Sequence, residues 1–286
     1  MADQKPTHTQ KDSHYATLRR QFRDQKAGGA PQAERASRPP VSGTPAPEGL
    51  IRLYGLHTVR AALDNPARKI KRMLVTKNAL DRLEITNTDA LPFDVDIVEP
   101  RAIDKETGSE AVHQGVMIEA QPLKAQSLKA LQESPLLLIL DQVTDPHNVG
   151  AIMRSAVAFG AGAIITTARH SPQESGVLAK AASGALELIP HVEVRNLADA
   201  IAELHEIGFI TIGLDSEGPL ELENTMSKGR IALVLGAEGK GLRQKTRETV
   251  THLARLDMPG AIKSLNVSNA AAISLYAAQR FLSSKD

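Results

Sequence analysis

PLLLILDQVTDPHNVGAIMRSAVAFG, residues 135–160, changes period in mid-course. Leu136–Leu140 is an unbroken apolar run, which predicts a strand buried on both faces, because a half-exposed strand would alternate. The acidic, proline-broken turn DQVTDPHN follows. Val149, Ile152, Met153, Ala156 and Val157 then recur at helical spacing. Strand, loop and helix in that order form half of a βαβ unit, so the fold turns on whether the pattern repeats.

It repeats to the end of the chain. Further strand candidates are AIITT (163–167), LIPHVEV (188–194), FITIGL (209–214), IALVL (231–235) and LARLDM (253–258). Helical segments lie between them, such as Asn196–Ile207, with Asn196 as N-cap and Gly208 just past its end. Alternating strands and helices predict an α/β fold, a mainly parallel sheet covered on both faces. Ligands of such sheets gather at the carboxyl ends of the strands, where the loops after 140, 235 and 258 should converge.

Upstream, residues 51–122 read as a small α/β domain. LYGLHTVRAALDN carries Leu56, Val59, Arg60 and Leu63 at helical spacing and ends near Asn65–Pro66. MLVT, FDVDIVEP and GVMIEA read as strands. Between helix and first strand, Arg68, Lys69, Lys71 and Arg72 make the densest positive spot in the chain, either a solvated loop or a contact for RNA phosphate. Residues 123–134 read as a linker with a short helix. Residues 1–50 hold almost no large apolar side chains, crowd five prolines into their second half, and carry eight Lys/Arg against five Asp/Glu. That composition predicts a disordered tail, either a plain linker or an arm on RNA phosphate.

Composition excludes several functions. With no cysteine among 286 residues there is no disulfide, thiolate zinc site or cysteine nucleophile. No apolar run approaches the ~18 residues of a membrane span, and the first residues hold no apolar signal core, so a soluble, cytoplasmic protein is expected. Three Tyr, five Phe and no Trp leave little for a base-stacking RNA module. The net charge of +1 requires any nucleic-acid surface to be local.

Three strand-to-helix loops carry polar residues that could do chemistry. In the first, Arg154 sits roughly 130° from the centre of the apolar stripe of its helix. Asn148, at the helix start, is open to two readings, a cap or a reacting group. His147 has no second ligand at matching spacing, so no metal is expected. The second loop, LGAEGKGL (235–242), places Glu238 between glycines. Neither a P-loop nor a GxGxxG dinucleotide turn fits its spacing, which argues against a nucleotide-dependent oxidoreductase. The third, LDMPGAIKSLNVSNAAAI (256–273), brings Ser264 and Asn266 before a helix over Ala270–Leu282 that Ser268 could cap. That helix is apolar nearly all round, hence either deeply buried or packed on another subunit.

NVGAIMRSAVAFG, LVLGAEGKGL and LDMPGAIKSLNVSNAAAI, in this order, resemble the three signature motifs of the SpoU–TrmH branch of the SPOUT RNA methyltransferases. LYGLHTVRAAL and HQGVMIEA are similar to that family's amino-terminal, ribosomal-protein-like substrate-binding domain. The resemblance covers residues 51–286 and implies a trefoil-knotted catalytic domain over 135–286. It further implies a homodimer with its active site across the interface. The activity implied is transfer of a methyl group from S-adenosylmethionine to a ribose 2′-hydroxyl of structured RNA. Catalytic positions then fall on Arg154, Asn148, Glu238, Ser264 and Asn266, and cofactor contacts on the backbone of Gly236, Leu256 and Leu265. The leading domain and the HQG segment favour guanosine in 23S rRNA as substrate. Three alternatives remain open: a tRNA guanosine methyltransferase, an adenosine-specific resistance relative, and a non-catalytic rRNA-binding or assembly protein.

Overall fold

A computed structural model describes residues 43–131 and 133–284, so most of the expected tail lies outside the described residues. Two sheets are present, both within one compact unit spanning Pro40–Asp286. The first contains β1 (Ile51–Tyr54), β2 (Ile70–Val75), β3 (Asp94–Ile97) and β4 (Val116–Ala120), in the order β1-β4-β2-β3. β4 runs antiparallel to both of its neighbours, whereas β2 and β3 are parallel. Its helices are α1 (Leu56–Asp64), α2 (Lys77–Arg82) and α3 (Pro100–Thr107).

The expected helix beginning at Leu53 starts later, because Gly55 stands at φ 92° and ends an IRLY strand before α1 begins. Gly43 and Thr44, assigned by composition to the tail, lie against α3. Thr44 donates its backbone N–H to the Lys105 carbonyl and its hydroxyl to Glu106, 2.6 Å away.

The second sheet has seven parallel strands in the order β7-β6-β5-β10-β8-β11-β9. They are β5 (Leu136–Asp141), β6 (Ile164–Thr167), β7 (His191–Val194), β8 (Phe209–Leu214), β9 (Leu220–Glu221), β10 (Arg230–Gly236) and β11 (His252–Arg255). The helices are α4 (Pro146–Ala158), α5 (Gly176–Ala182), α6 (Ala185–Leu188), α7 (Leu197–Glu206), α8 (Gln244–Thr249) and α9 (Val267–Ser283). β5 and β10 are buried along almost their whole lengths, which explains their unbroken apolar runs.

Two expected strands are shorter than their apolar runs. LIPHVEV enters the sheet only at His191, since α6 occupies Ala185–Leu188. LARLDM leaves it after Arg255, because β8 ends at Leu214, opposite Ala254, and offers Leu256–Met258 no partner. No described helix is long and apolar enough to cross a membrane.

Sheet order positions the site. From β5 the chain winds outward through β6 and β7, then returns to lay β10 and β8 on the other side of β5. The reversal opens a crevice at the carboxyl ends of β5 and β10, where open parallel sheets bind ligands.

Candidate active site

Asn266 is the hub of this crevice. Its Oδ1 accepts from the Ser268 N–H at 2.9 Å and the Ser268 hydroxyl at 2.6 Å, so Asn266 is the N-cap of α9, the role expected of Ser268. That assignment turns Nδ2 outward, donating to Asn148 Oδ1 at 3.1 Å and to Glu238 Oε2 at 3.4 Å. One residue from each motif thus meets at one amide. Asn148 is not a cap, because Asp145 fills that place, accepting from His147 N–H at 2.9 Å, with Pro146 opening the helix.

Behind Glu238 the loop closes on itself. Gly241 N–H donates to the Ala237 carbonyl at 2.8 Å, with Gly239 and Gly241 at φ 78° and 64°. Gly236 tolerates no side chain, since a Cβ there would overlap the Gly241–Leu242 peptide. Asp141, fully buried at the end of β5, ties the loop down. It accepts from Arg243 N–H at 3.0 Å and from Arg243 Nε at 2.6 Å.

The cleft beside this loop encloses about 820 Å³. Gly236, Leu256 and Leu265 line it together with Glu238, Ser264 and Asn266. Asp215 and Glu217 face it from beyond β8, and Met258 and Val267 add apolar wall. Carboxylates that can accept from a sugar diol, apolar walls for a flat ring and a glycine-bared backbone fit an adenosine-bearing cofactor.

Arg154 stands apart. It is exposed, does not line the cleft, and has no hydrogen-bond or ion-pair partner among the described residues. It lies six positions after Asn148, which places it roughly 120° around α4 and ~9 Å along its axis. No group of three His, Asp or Glu that could hold a metal occurs among the described residues.

Comparison with known proteins places the chain in a family. Residues 135–276 match the model of the SpoU rRNA Methylase family, and residues 52–126 match that for RNA 2′-O ribose methyltransferase substrate binding. A 23S rRNA (guanosine-2′-O-)-methyltransferase RlmB of Ralstonia nicotianae is 39% identical over 241 residues, 80% of this chain and 94% of the relative. The chain belongs to the SpoU rRNA methylase family.

The enzyme of the same name from Pasteurella multocida is also 39% identical, over 78% of this chain and 95% of its own. The fold is shared with the SpoU methyltransferase AviRb of Streptomyces viridochromogenes, solved in complex with AdoMet. Its TM-score is 0.69 at 21% identity, covering 82% of this chain and 90% of that one. Among the residues that line this cleft or hold its loop, Asp141, Arg243, Asp215 and Glu217 were not marked by the sequence reading. Asp141 carried a signal, a lone carboxylate ending a fully apolar strand. Asp215 and Glu217 sit in a polar turn with nothing local to set it apart.

Proposed function

We propose that this chain is a methyltransferase that uses S-adenosylmethionine to methylate a ribose 2′-hydroxyl of a guanosine in 23S rRNA. One observation carries the reading: Asn266, bonded to Asn148 and Glu238, lines with Glu238 the same cleft as Gly236, Leu256 and Leu265. When bound, S-adenosylmethionine supplies an electrophilic methyl group on a sulfonium. Gly236, Leu256 and Leu265 would hold it through backbone N–H and C=O groups, their side chains having nothing polar to offer.

The remaining work is positioning and charge. Asn266 and Asn148 orient the ribose, Glu238 and Ser264 bound the space it enters, and Arg154 grips an adjacent phosphate through its planar fork. Arginine remains protonated, so it stabilises the forming alkoxide rather than removing the proton. The proton of the 2′-hydroxyl passes to that phosphate or to water as the oxygen–methyl bond forms and the sulfur–methyl bond breaks.

Arg154 lies outside the cleft of its own chain, which favours a homodimer in which Arg154 of one copy faces the cleft of the other. The exposed face of α9 supports it: Ile273 and Tyr276 are 47% and 55% exposed, and Phe159 packs edge-on against Tyr276. The reading extends to a trefoil knot in the carboxy-terminal part, to residues 51–122 as the RNA-binding domain joined by 123–134 to the catalytic domain 135–286, and to a cytoplasmic protein. Depleting the protein and mapping ribose methylation across total RNA tests it. One guanosine of 23S rRNA should lose its methyl group; loss confined to tRNA, or no loss, overturns it.

A further inference from the structure

The basic step 68–72 divides in the structure. Lys69 and Lys71 are exposed and Arg72 pairs with Asp96 at 2.8 Å, but the Arg68 side chain is fully buried, so it is no phosphate contact. Its Nε and Nη2 fork onto Glu187 of α6 at 3.0 and 2.6 Å. Its Nη1 reaches Glu174, just before α5, at 2.5 Å and the Gln121 carbonyl at 2.8 Å. The carboxylates are otherwise engaged: Glu187 accepts from Asn65 Nδ2 at 2.7 Å, and Glu174 from the Leu123 N–H at 2.9 Å.

Apart from the bond to Gln121, which stays on the first side, these contacts run between the first sheet, or the strap that leaves it, and the segment of the second that holds Glu174 and α6. A second joint lies at the HQG segment. Gln114, held at φ 55°, accepts from Lys180 of α5 at 2.6 Å and from the Leu56 N–H that opens α1 at 3.2 Å. Between the two joints the Thr58 hydroxyl donates to the Ala179 carbonyl in a buried bond, and Gly176 lies too close to Tyr54 to carry a Cβ. The apolar core is continuous across the seam, from Leu53 and Val59 through Leu178 and Ala182 to Ile152.

An apolar seam alone would tolerate sliding, whereas a buried guanidinium forked onto two carboxylates is satisfied in one geometry. We propose that Arg68, with Glu174 and Glu187, is a positioning residue that holds the substrate-binding part in a single orientation on the methyltransferase part. The distance from bound RNA to the Asn266 cleft is then set by this joint, and with it the nucleotide that is methylated. The proposal rests on the reading that residues 52–126 bind RNA.

The chain has no cysteine, so Lys71→Cys and Ala202→Cys place two spin labels, one on each part, in the full-length protein. The unaltered joint should give one narrow inter-label distance distribution. Arg68→Met should broaden it, raise KM for 23S rRNA tenfold or more, and leave S-adenosylmethionine affinity within twofold. A narrow distribution with unchanged KM in that variant overturns the proposal. Arg68→Lys keeps the buried charge but loses the fork, so it serves if Arg68→Met fails to fold; it should broaden the distribution and raise KM more mildly, and no effect on either overturns the proposal equally. Failure of the functional reading shows differently, as absent methylation by the unaltered protein while the distance measurement still reports on the joint.

Discussion

Asn266 does two jobs with the two ends of one amide, and substitution can separate them. Asn266→Asp keeps an acceptor for the Ser268 N–H but replaces the donor facing Asn148 and Glu238 with a carboxylate. Thermal stability should change little, while kcat falls by about 100-fold, the scale of one lost polar contact at a reacting centre. Asn266→Ala should add a stability loss of about 1 kcal/mol from the missing cap. Near wild-type turnover in the Asp variant would remove the donor from the mechanism. Arg154→Lys keeps the charge but loses the fork, and kcat should drop by about tenfold or more with S-adenosylmethionine affinity unchanged. Turnover close to wild type would leave the planar guanidinium no special part. Local sequence does not decide Arg154 or Asn148: Arg154 merely lies off the apolar stripe of its helix, and Asn148 stays open between a cap and a reacting group until Asp145 proves to be the cap.

At the scale of elements, the loop after β10 is shaped by what its glycines exclude. Gly236→Ala forces a Cβ into the Gly241–Leu242 peptide, so the loop must shift. The expected result is a loss of S-adenosylmethionine affinity of about tenfold or more with the sheet intact, read by calorimetry beside circular dichroism. Unchanged affinity would mean that the loop does not shape the cofactor cleft. β7 carries a second prediction. Burial holds the His191 imidazole, bonded to Thr166 Oγ1 at 2.9 Å, below its usual value of 6.5, with Glu193 pulling weakly the other way. The unfolded chain therefore takes up the proton first as pH falls. The associated stability is present above pH 6.5 and lost as pH drops through the depressed folded value. Melting temperatures followed between about pH 8 and pH 5 should fall less steeply in His191→Gln than in the native chain; parallel curves would show that His191 is not the group responsible.

For the whole molecule, the proposed second copy is the decisive issue. Arg154→Ala and Asn266→Ala should each be nearly inactive alone. Mixed and allowed to exchange subunits, they should recover up to about a quarter of wild-type activity if Arg154 acts on the other copy's cleft, because half the dimers then hold one intact site of two. No recovery from a verified heterodimer places Arg154 in its own chain's site. The same scale explains the outcome at Arg68. As a linear string, RKIKR is a patch of charge. In the folded chain Arg68, two residues before β2, is buried against Glu187 of α6 and Glu174 just before α5, while Lys69 and Lys71 stay exposed.

The sequence alone determined what depends on local period and on short polar strings. Apolar runs and helical spacing marked out most strands and helices and the parallel arrangement of the second sheet, and the motifs pointed to Gly236, Glu238, Leu256, Ser264, Leu265 and Asn266 among the residues of the cleft. Where a strand would stop was not legible, since LARLDM ends where β8 runs out rather than where its own apolarity does. The tertiary structure decided which of several chemically equal residues meet: Asn266 rather than Ser268 as cap, Asp141 as anchor for the glycine loop, Arg68 as a buried clamp instead of a phosphate contact. The physical reason is that periodicity belongs to each segment by itself. A hydrogen-bond partner is chosen only when sheet order brings distant segments together, and burial then leaves each polar group few partners to satisfy it.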